Sequence, residues 1–341
     1  MTDAPTSRDT ASRGQATLLG ALSLWGWQSP GQTGCVGELP LALLQEGPDQ
    51  PIEAFFTNHA VETSSERGRC IATAPGFAFG VFDLDESAGL TAGTERAYRQ
   101  LFDVLEQSGT PHLWRVWQYL PAINDTDPDT GQERYRLFNQ GRADAFANAG
   151  RDATQSAPAA CALGCAEGTR GQLLFLASDM PPRPIENPRQ VSAYHYPREY
   201  GPRSPIFARA AVASGHGHDW LFISGTASIT GHASRHVGDI RAQTDETLAN
   251  LETVRLEANA ARPNQASSFE FDGLALLRVY LRHPEDLAPV RERLKAWLSG
   301  PAEILYLQAD ICRSDLLVEI EATLRQPRNE RASTDASRAL L

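Results

Sequence analysis

Proline punctuation divides this chain into two arrays that read alike, and that internal repetition limits its possible folds more than any other feature. Residues Pro181 to Pro205 (PPRPIENPRQVSAYHYPREYGPRSP) are dense in proline. Proline removes ladder donors and breaks helices, so the segment predicts an extended connector between two domains. A long ordered connector is often functional rather than slack. Before it, Phe77 to Leu84 has strand composition. Thr94 is placed to cap a helix whose apolar face is Tyr98, Leu101, Phe102 and Leu105. His112 to Leu120 alternates as a strand, with Leu113, Arg115, Trp117 and Tyr119 on one face. The turn INDTDPDTG, a helix over Glu133 to Ala149 and a buried strand over Gly171 to Ser178 follow.

After the connector the order recurs. Ile206–Val212 and Trp220–Ser224 predict a hairpin. A helix from Asp239 points Ile240, Leu248, Leu251 and Val254 inward. Leu274 to Leu281 is a strand, and Pro284 opens a helix with Leu287, Val290, Leu294, Trp297 and Leu298 on one face. Asp315 to Leu324 is the last strand. The expectation is a duplicated α/β (α+β) unit, each copy a mixed sheet packed by helices: residues 16–190 and 191–325, with disordered tails at 1–15 and 326–341.

Composition then excludes several classes of function. At 341 residues the chain buries a real core without help from metal or cross-links. A net charge of −11 argues against nucleic acid or an anionic membrane as partner. Arginine replaces lysine throughout, the lone exception being Lys295, which falls off its helix's apolar face. That argues against Schiff-base and pyridoxal-phosphate chemistry, which need a lysine amine in the pocket. Five irregularly spaced cysteines make a poor disulfide framework and fit a reducing compartment. Cys161 and Cys165 read as small buried residues rather than zinc ligands. The apolar run Leu18 to Trp27 is too short to span a bilayer and lacks a basic leader, so a cytoplasmic protein is expected. No dinucleotide, P-loop, nucleophile-elbow or HExxH motif is present.

Three groups of residues carry chemistry. On the last strand, Leu316, Val318, Ile320 and Ala322 share one face, and Glu319 and Glu321 share the other. A carboxylate inside a sheet is costly unless it is paired or faces a cleft. The alternative is that both glutamates face solvent or pair with arginines. Arg142, Arg203 and Arg209, in aromatic-rich segments with Tyr135 and Tyr200, suggest bidentate grips on a small anionic, dicarboxylic ligand. Ordinary surface charge is the competing explanation. His216, His218, His232 and His236 lie in glycine- and serine-rich loops, and no metal or other cofactor is expected there.

The segments Ile223–Glu252, Leu277–Leu298 and LLVEIEATL (Leu316–Leu324) resemble the RidA/YjgF superfamily. Over residues 77–324 the chain resembles more specifically the chorismatases, two-domain relatives of that superfamily. The segments that carry this are HLWRVWQYLPAIN, RLFNQGRADAF, PREYGPRSPIFARA, SGTASITGH and ADICRSDLLVEIEA. The resemblance implies two RidA-like domains, the first degenerate. It also implies removal of chorismate's enolpyruvyl group as pyruvate without metal or organic cofactor. It assigns the catalytic glutamate to Glu319 and matches the two positions that differ between subfamilies to Gly225 and Cys312. This pair resembles the intramolecular branch that makes 3-hydroxybenzoate, or a bifunctional branch that also makes 4-hydroxybenzoate. Gly225 is expected to leave room for a shifted substrate, and Cys312 to assist proton movement or simply to pack. Arg142, Tyr200, Arg203, Arg209 and Tyr135 are expected to bind substrate. Open alternatives are a chorismate hydrolase of the same fold and a non-catalytic ligand-binding protein. The assembly is expected to be a monomer or homotrimer.

Overall fold

The computed structural model describes residues 17–24, 34–45, 53–215, 217–262 and 267–328. The expected tail at 1–15 and residues 329–341 lie outside these. In the first half the strands are β1 (Thr17–Leu24), β2 (Cys35–Leu39), β3 (Ala42–Leu43), β4 (Glu53–Thr57), β5 (Glu62–Glu66), β6 (Arg69–Ala74) and β7 (Phe77–Asp83). Then come α1 (Leu90–Gln107), β8 (His112–Pro121), α2 (Arg134–Asn148), α3 (Ala153–Ser156), β9 (Ala159–Cys165) and β10 (Gln172–Ser178). The second half has β11 (Arg183–Ile185), β12 (Ala210–Gly215), β13 (His218–Ala227), the short pair β14 (Ile229–Thr230) and β15 (Ala233–Ser234), and α4 (Ile240–Ala260). It ends with β16 (Ala275–Leu281), α5 (Leu287–Trp297), β17 (Glu303–Gln308) and β18 (Val318–Pro327).

The two main sheets have one topology. The first runs β5-β6-β7-β10-β8-β9 and the second β11-β12-β13-β18-β16-β17, with β3 added at its edge. In each, the pair on either side of the second helix is parallel (β8 with β9, β16 with β17) and the last strand inserts antiparallel between its neighbours. The duplication expected from the sequence is therefore present strand for strand. Even the residues of the equivalent strands β8 and β16 agree, Arg115-Val116-Trp117 matching Arg278-Val279-Tyr280.

Helices α1 and α2 cover the outer face of the first sheet, burying Tyr98, Leu101, Phe138 and Phe146 against Phe82 and Phe175. Helices α4 and α5 cover the second, burying Leu251, Val254, Val290 and Leu294 against Leu277, Ile320 and Ala322. The inner faces meet in one shared core of Phe79, Trp117, Leu174, Phe222, Tyr280 and Leu307. Burial of this kind is the dominant favourable contribution to folding.

Several expectations need correction. A three-stranded sheet β2-β1-β4, not foreseen, packs Leu19, Leu22 and Phe55 onto the shared core. It carries a disulfide, Cys35–Cys70, so the cysteines do contain a cross-link. Folding β2 over β6 brings the two Cα atoms to 5.8 Å, within bridging range, which spacing in sequence cannot reveal. Helix α1 begins at Leu90 rather than at Thr94, which is buried inside it. Strand β18 runs on to Pro327, paired with His218, so residues 326 and 327 belong to the sheet rather than to a tail. The connector contributes β11 to the second sheet and continues into two short 3-10 turns at Ala193–His195 and Arg198–Tyr200. Lys295 is exposed, as expected. No helix among the described residues is long and apolar enough to cross a membrane.

Candidate active site

Strand β18 lies mid-sheet, between β13 and β16, and its two glutamates point into the shared core. They end in different surroundings. Glu321 is fully buried and engaged by Arg115, Arg278 and the Tyr280 hydroxyl, the last at 2.7 Å; Arg278 also reaches Glu53 at 2.8 Å. The two guanidiniums flank Trp117, 5.4 and 5.7 Å from its ring. Burial raises the Glu321 pKa, but the charges of Arg278 and Arg115 and the Tyr280 hydroxyl outweigh it and hold the group below its ordinary value. Glu319, only 3 % exposed, lies on the wall of a cavity of about 240 Å³. Burial pushes its pKa up to about 8; the Glu321 charge adds to the rise and Arg115 offsets part of it. Near neutral pH it is a carboxylic acid.

A bulge in β13 makes room for that acid. Pairing with β18 shifts register between Ile223 and Thr226, which sets Ser224 and Gly225 out of step. Ser224 ties the bulge to its surroundings, donating to the Ala208 carbonyl at 2.6 Å and accepting from the Ala160 amide at 2.9 Å. A Cβ on Gly225 would collide with Glu319 Oε1 and sit 3.2 Å from Cys161 Cβ. The missing side chain thus accommodates the Glu319 carboxyl itself.

The connector and the loop before β18 form the remaining walls, with Tyr196, Tyr200, Arg209, Cys312 and Arg313 on the lining beside Tyr135. Arg209 donates to the Val191 carbonyl at 2.7 Å and the Tyr196 hydroxyl at 2.9 Å, while its buried Nε has no acceptor. Arg313 stacks 4.0 Å over the Tyr200 ring and donates to the His232 carbonyl at 2.9 Å. Arg209 feels the charge of the half-buried Glu186 carboxyl, which also accepts from the Arg209 backbone amide; Arg313 makes its contacts to carbonyls, a hydroxyl and rings. Cys312 is a thiol, its pKa raised by burial to about 12.

Tyr135, Tyr200, Arg209, Gly225, Cys312 and Glu319, all named from the sequence, converge on this cavity. Arg142 sits behind its wall. It is 1 % exposed, donates to Gln118 Oε1 at 3.0 Å and Asn139 Oδ1 at 2.6 Å, and leaves Nε and Asn139 Nδ2 without acceptors. Its electrostatic influence reaches Tyr135, whose hydroxyl burial keeps neutral. A buried cation with only neutral partners is costly and favours an anion close by. Arg203 is a correction: its side chain is 58 % exposed and pairs with Asp144 away from the cavity, because the connector turns outward before Pro205. The histidines do not gather: His232 meets Tyr200 and Glu199, His236 meets Glu246, and His216 lies outside the described residues. No group of three or more possible metal ligands occurs among the described residues.

Sequence reasoning missed Arg313, Tyr196 and the network around Glu321. The repeated RVW/RVY triplet, two arginines at matching places on matching strands, was the available signal for the network. Arg313 adjoins Cys312 in a segment already singled out.

Comparison with known proteins places these features in a family. Residues 53–177 match the family model described as "Chorismatase FkbO/Hyg5-like, N-terminal". The chain is 40% identical over 238 residues to a 3-hydroxybenzoate synthase of Streptomyces hygroscopicus, covering 69% of each chain. It is 38% identical over 275 residues to a chorismatase of Streptomyces rapamycinicus, covering 80% of this chain and 81% of that one. The crystal structure of a chorismatase superposes with a TM-score of 0.78 at 33% identity, covering 93% of this chain and 95% of that one.

Proposed function

The chain belongs to the chorismatase family, and from that premise we propose that it converts chorismate to 3-hydroxybenzoate and pyruvate, with Glu319 as the proton donor. The observation that carries this reading is a buried carboxyl, its pKa near 8, on the wall of a cavity that Arg209 and Arg313 also line. Chorismate has two carboxylates. Arg209 and Arg313 on the lining are the cations placed to receive them, with Arg142 a buried positive charge behind Tyr135. Bidentate forks fix both position and angle, which turns binding into orientation.

The chemistry balances without water or cofactor. Glu319 gives its proton to the terminal methylene of the enolpyruvyl group, which becomes a methyl as oxocarbenium character builds. The ether bond to ring carbon 3 then breaks as the hydroxyl oxygen on carbon 4 closes onto carbon 3, releasing pyruvate and leaving an arene oxide. The oxide opens by breaking its bond to carbon 4, carbon 3 gives up its hydrogen as a proton and the oxygen on carbon 3 takes up a proton, which restores aromaticity; the hydroxyl proton lost on closure restores the acid. A positioned acid supplies roughly 10²–10⁴ in rate, and the acid works only while it keeps its proton near neutral pH. The Gly225/Cys312 pair favours the intramolecular route over hydrolysis, with Cys312 a neutral wall beside Glu319 where a hydrolase would seat its water.

The test is incubation with chorismate followed by chromatography of the aromatic products. The expected outcome is 3-hydroxybenzoate and pyruvate in equal amounts, with no solvent oxygen in the hydroxybenzoate when the reaction runs in heavy-oxygen water. A 4-hydroxybenzoate peak beside it would assign the bifunctional branch. A dihydroxy-cyclohexadienoate as main product would replace the reading with a hydrolase. Binding without pyruvate release would replace it with a ligand-binding protein.

A further inference from the structure

We propose that Glu321 is a positioning residue: a carboxylate locked in its ionised form by arginines from both halves of the chain, whose charge keeps the adjacent Glu319 in its acid form. The inference rests on the reading of Glu319 as proton donor and adds what holds the proton on it.

Two glutamates two residues apart on one strand face lie about 7 Å apart, close enough to compete for a single negative charge in a dry interior. The sheet decides the competition by geometry. Arg115 from β8, Arg278 from β16 and the Tyr280 hydroxyl all engage Glu321, and Glu53 from the three-stranded sheet anchors Arg278. None of these donors bonds Glu319. The buried Cys161 thiol of β9 also turns to Glu321, whereas Glu319 faces the Gly225 bulge and the Cys312 thiol. The other charged side chains on the lining are Glu133, Arg136, Arg209, Arg313 and Asp315; Glu133 pairs with Arg136 at 3.3 Å and Asp315 accepts from the Ser234 hydroxyl at 3.0 Å.

Packing alone does not call for a carboxylate at 321. In the first sheet the equivalent place, opposite Arg115 on β8, holds Leu176, whereas Glu321 stands opposite Arg278 on β16. The place thus takes a leucine in one sheet and, in the other, a carboxylate with two buried guanidiniums to pair. A buried ionic cluster in its place is at best neutral for stability, which points to a role in the reaction. The first half, whose matching strand β10 carries no acid, supplies Arg115 and Glu53 to the network. Its contribution is to fix which of the two glutamates is charged.

The experiment is the pH dependence of kcat and KM for chorismate in the wild type, Glu319→Gln, Glu321→Gln and Glu321→Asp. Glu319→Gln comes first: if it turns over normally, the proton-donor reading fails and the role of Glu321 falls with it. With Glu319 required, activity declines above a basic limb set by its proton. Glu321→Gln is expected to move that limb down by about one pH unit or more, with KM changed less than about threefold and kcat on the acid side largely kept. Glu321→Asp retains the charge and is expected to leave the limb at the wild-type pH even where kcat falls. Should Glu321→Gln fail to fold, the double variant Arg115→Gln/Glu321→Gln replaces the ion pair by a neutral one. Its limb should then fall between wild-type and acidic-shifted values. A limb in the wild-type place in the charge-neutral variants, or one that moves equally in Glu321→Asp, overturns the proposal.

Discussion

Strands β10 and β18 occupy the same place in two sheets of the same order, and they carry opposite chemistry. On β10 the residues facing the shared core are Leu174 and Leu176, paired with Trp117 and Arg115. On β18 the matching residues are Glu319 and Glu321, paired with Tyr280 and Arg278. The cations were kept on both copies of the neighbouring strand, and the carboxylates on one. The difference shows how a duplicated scaffold builds an acid site: one copy offers the reactive side chain, and the other offers an apolar wall that dries it and an arginine that holds its neighbour's charge.

The comparison breaks most visibly at Glu319. Glu319→Gln keeps the shape and loses the proton, so pyruvate release is expected to fall by about 10²–10⁴ while chorismate still binds, read by a coupled pyruvate assay and by calorimetry. The reverse exchange is next. Leu174→Glu would bury a carboxylate on β10 with no arginine free to receive it, and denaturant unfolding is expected to show a loss of about 3–5 kcal/mol. Replacing both Cys35 and Cys70 with alanine should cost about 2–4 kcal/mol of stability, because the disulfide ties the three-stranded sheet onto β6. Near-normal kcat in that variant would confine the cross-link to stability.

Smaller effects sharpen the picture at the bulge. Gly225→Ala puts a methyl where the Glu319 carboxyl lies, so the acid must swing into the cavity; combined with Cys312→Ala, the product mixture should shift toward the dihydroxy-cyclohexadienoate. Hydroxybenzoate alone from the double variant would count against both assignments. The raised acid also leaves a trace in stability. Its proton is held more tightly in the folded chain, about 8 against 4.5 in the open one, so its stabilising contribution is complete below about 4.5 and is lost as pH climbs toward about 8. Over that window the melting temperature of Glu319→Gln should gain on the wild type, and a constant gap would contradict the assignment.

Much of this arrangement was legible in the residues. The repeated element order survived as identical sheet orders, and alternation alone put Glu319 and Glu321 on one face. The structure separates the pair: Glu321 is paired with arginines and Glu319 lines a cavity. Sequence could not say which, because the deciding arginines are brought from 206 and 43 positions away. The early strands escaped notice for local reasons: β5 is ETSSE, exposed at every position, and β2 is CVGEL. Arg203 was misplaced because an arginine beside aromatic residues looks the same from sequence whether its connector turns inward or outward.

The central claim is that Glu319 is a neutral acid beside an ionised Glu321, and difference infrared spectroscopy of wild type against Glu319→Gln reads it directly. The account predicts a protonated-carboxyl band at neutral pH that vanishes in the variant and titrates away near pH 8. A carboxylate band from Glu319 already present at neutral pH would contradict it.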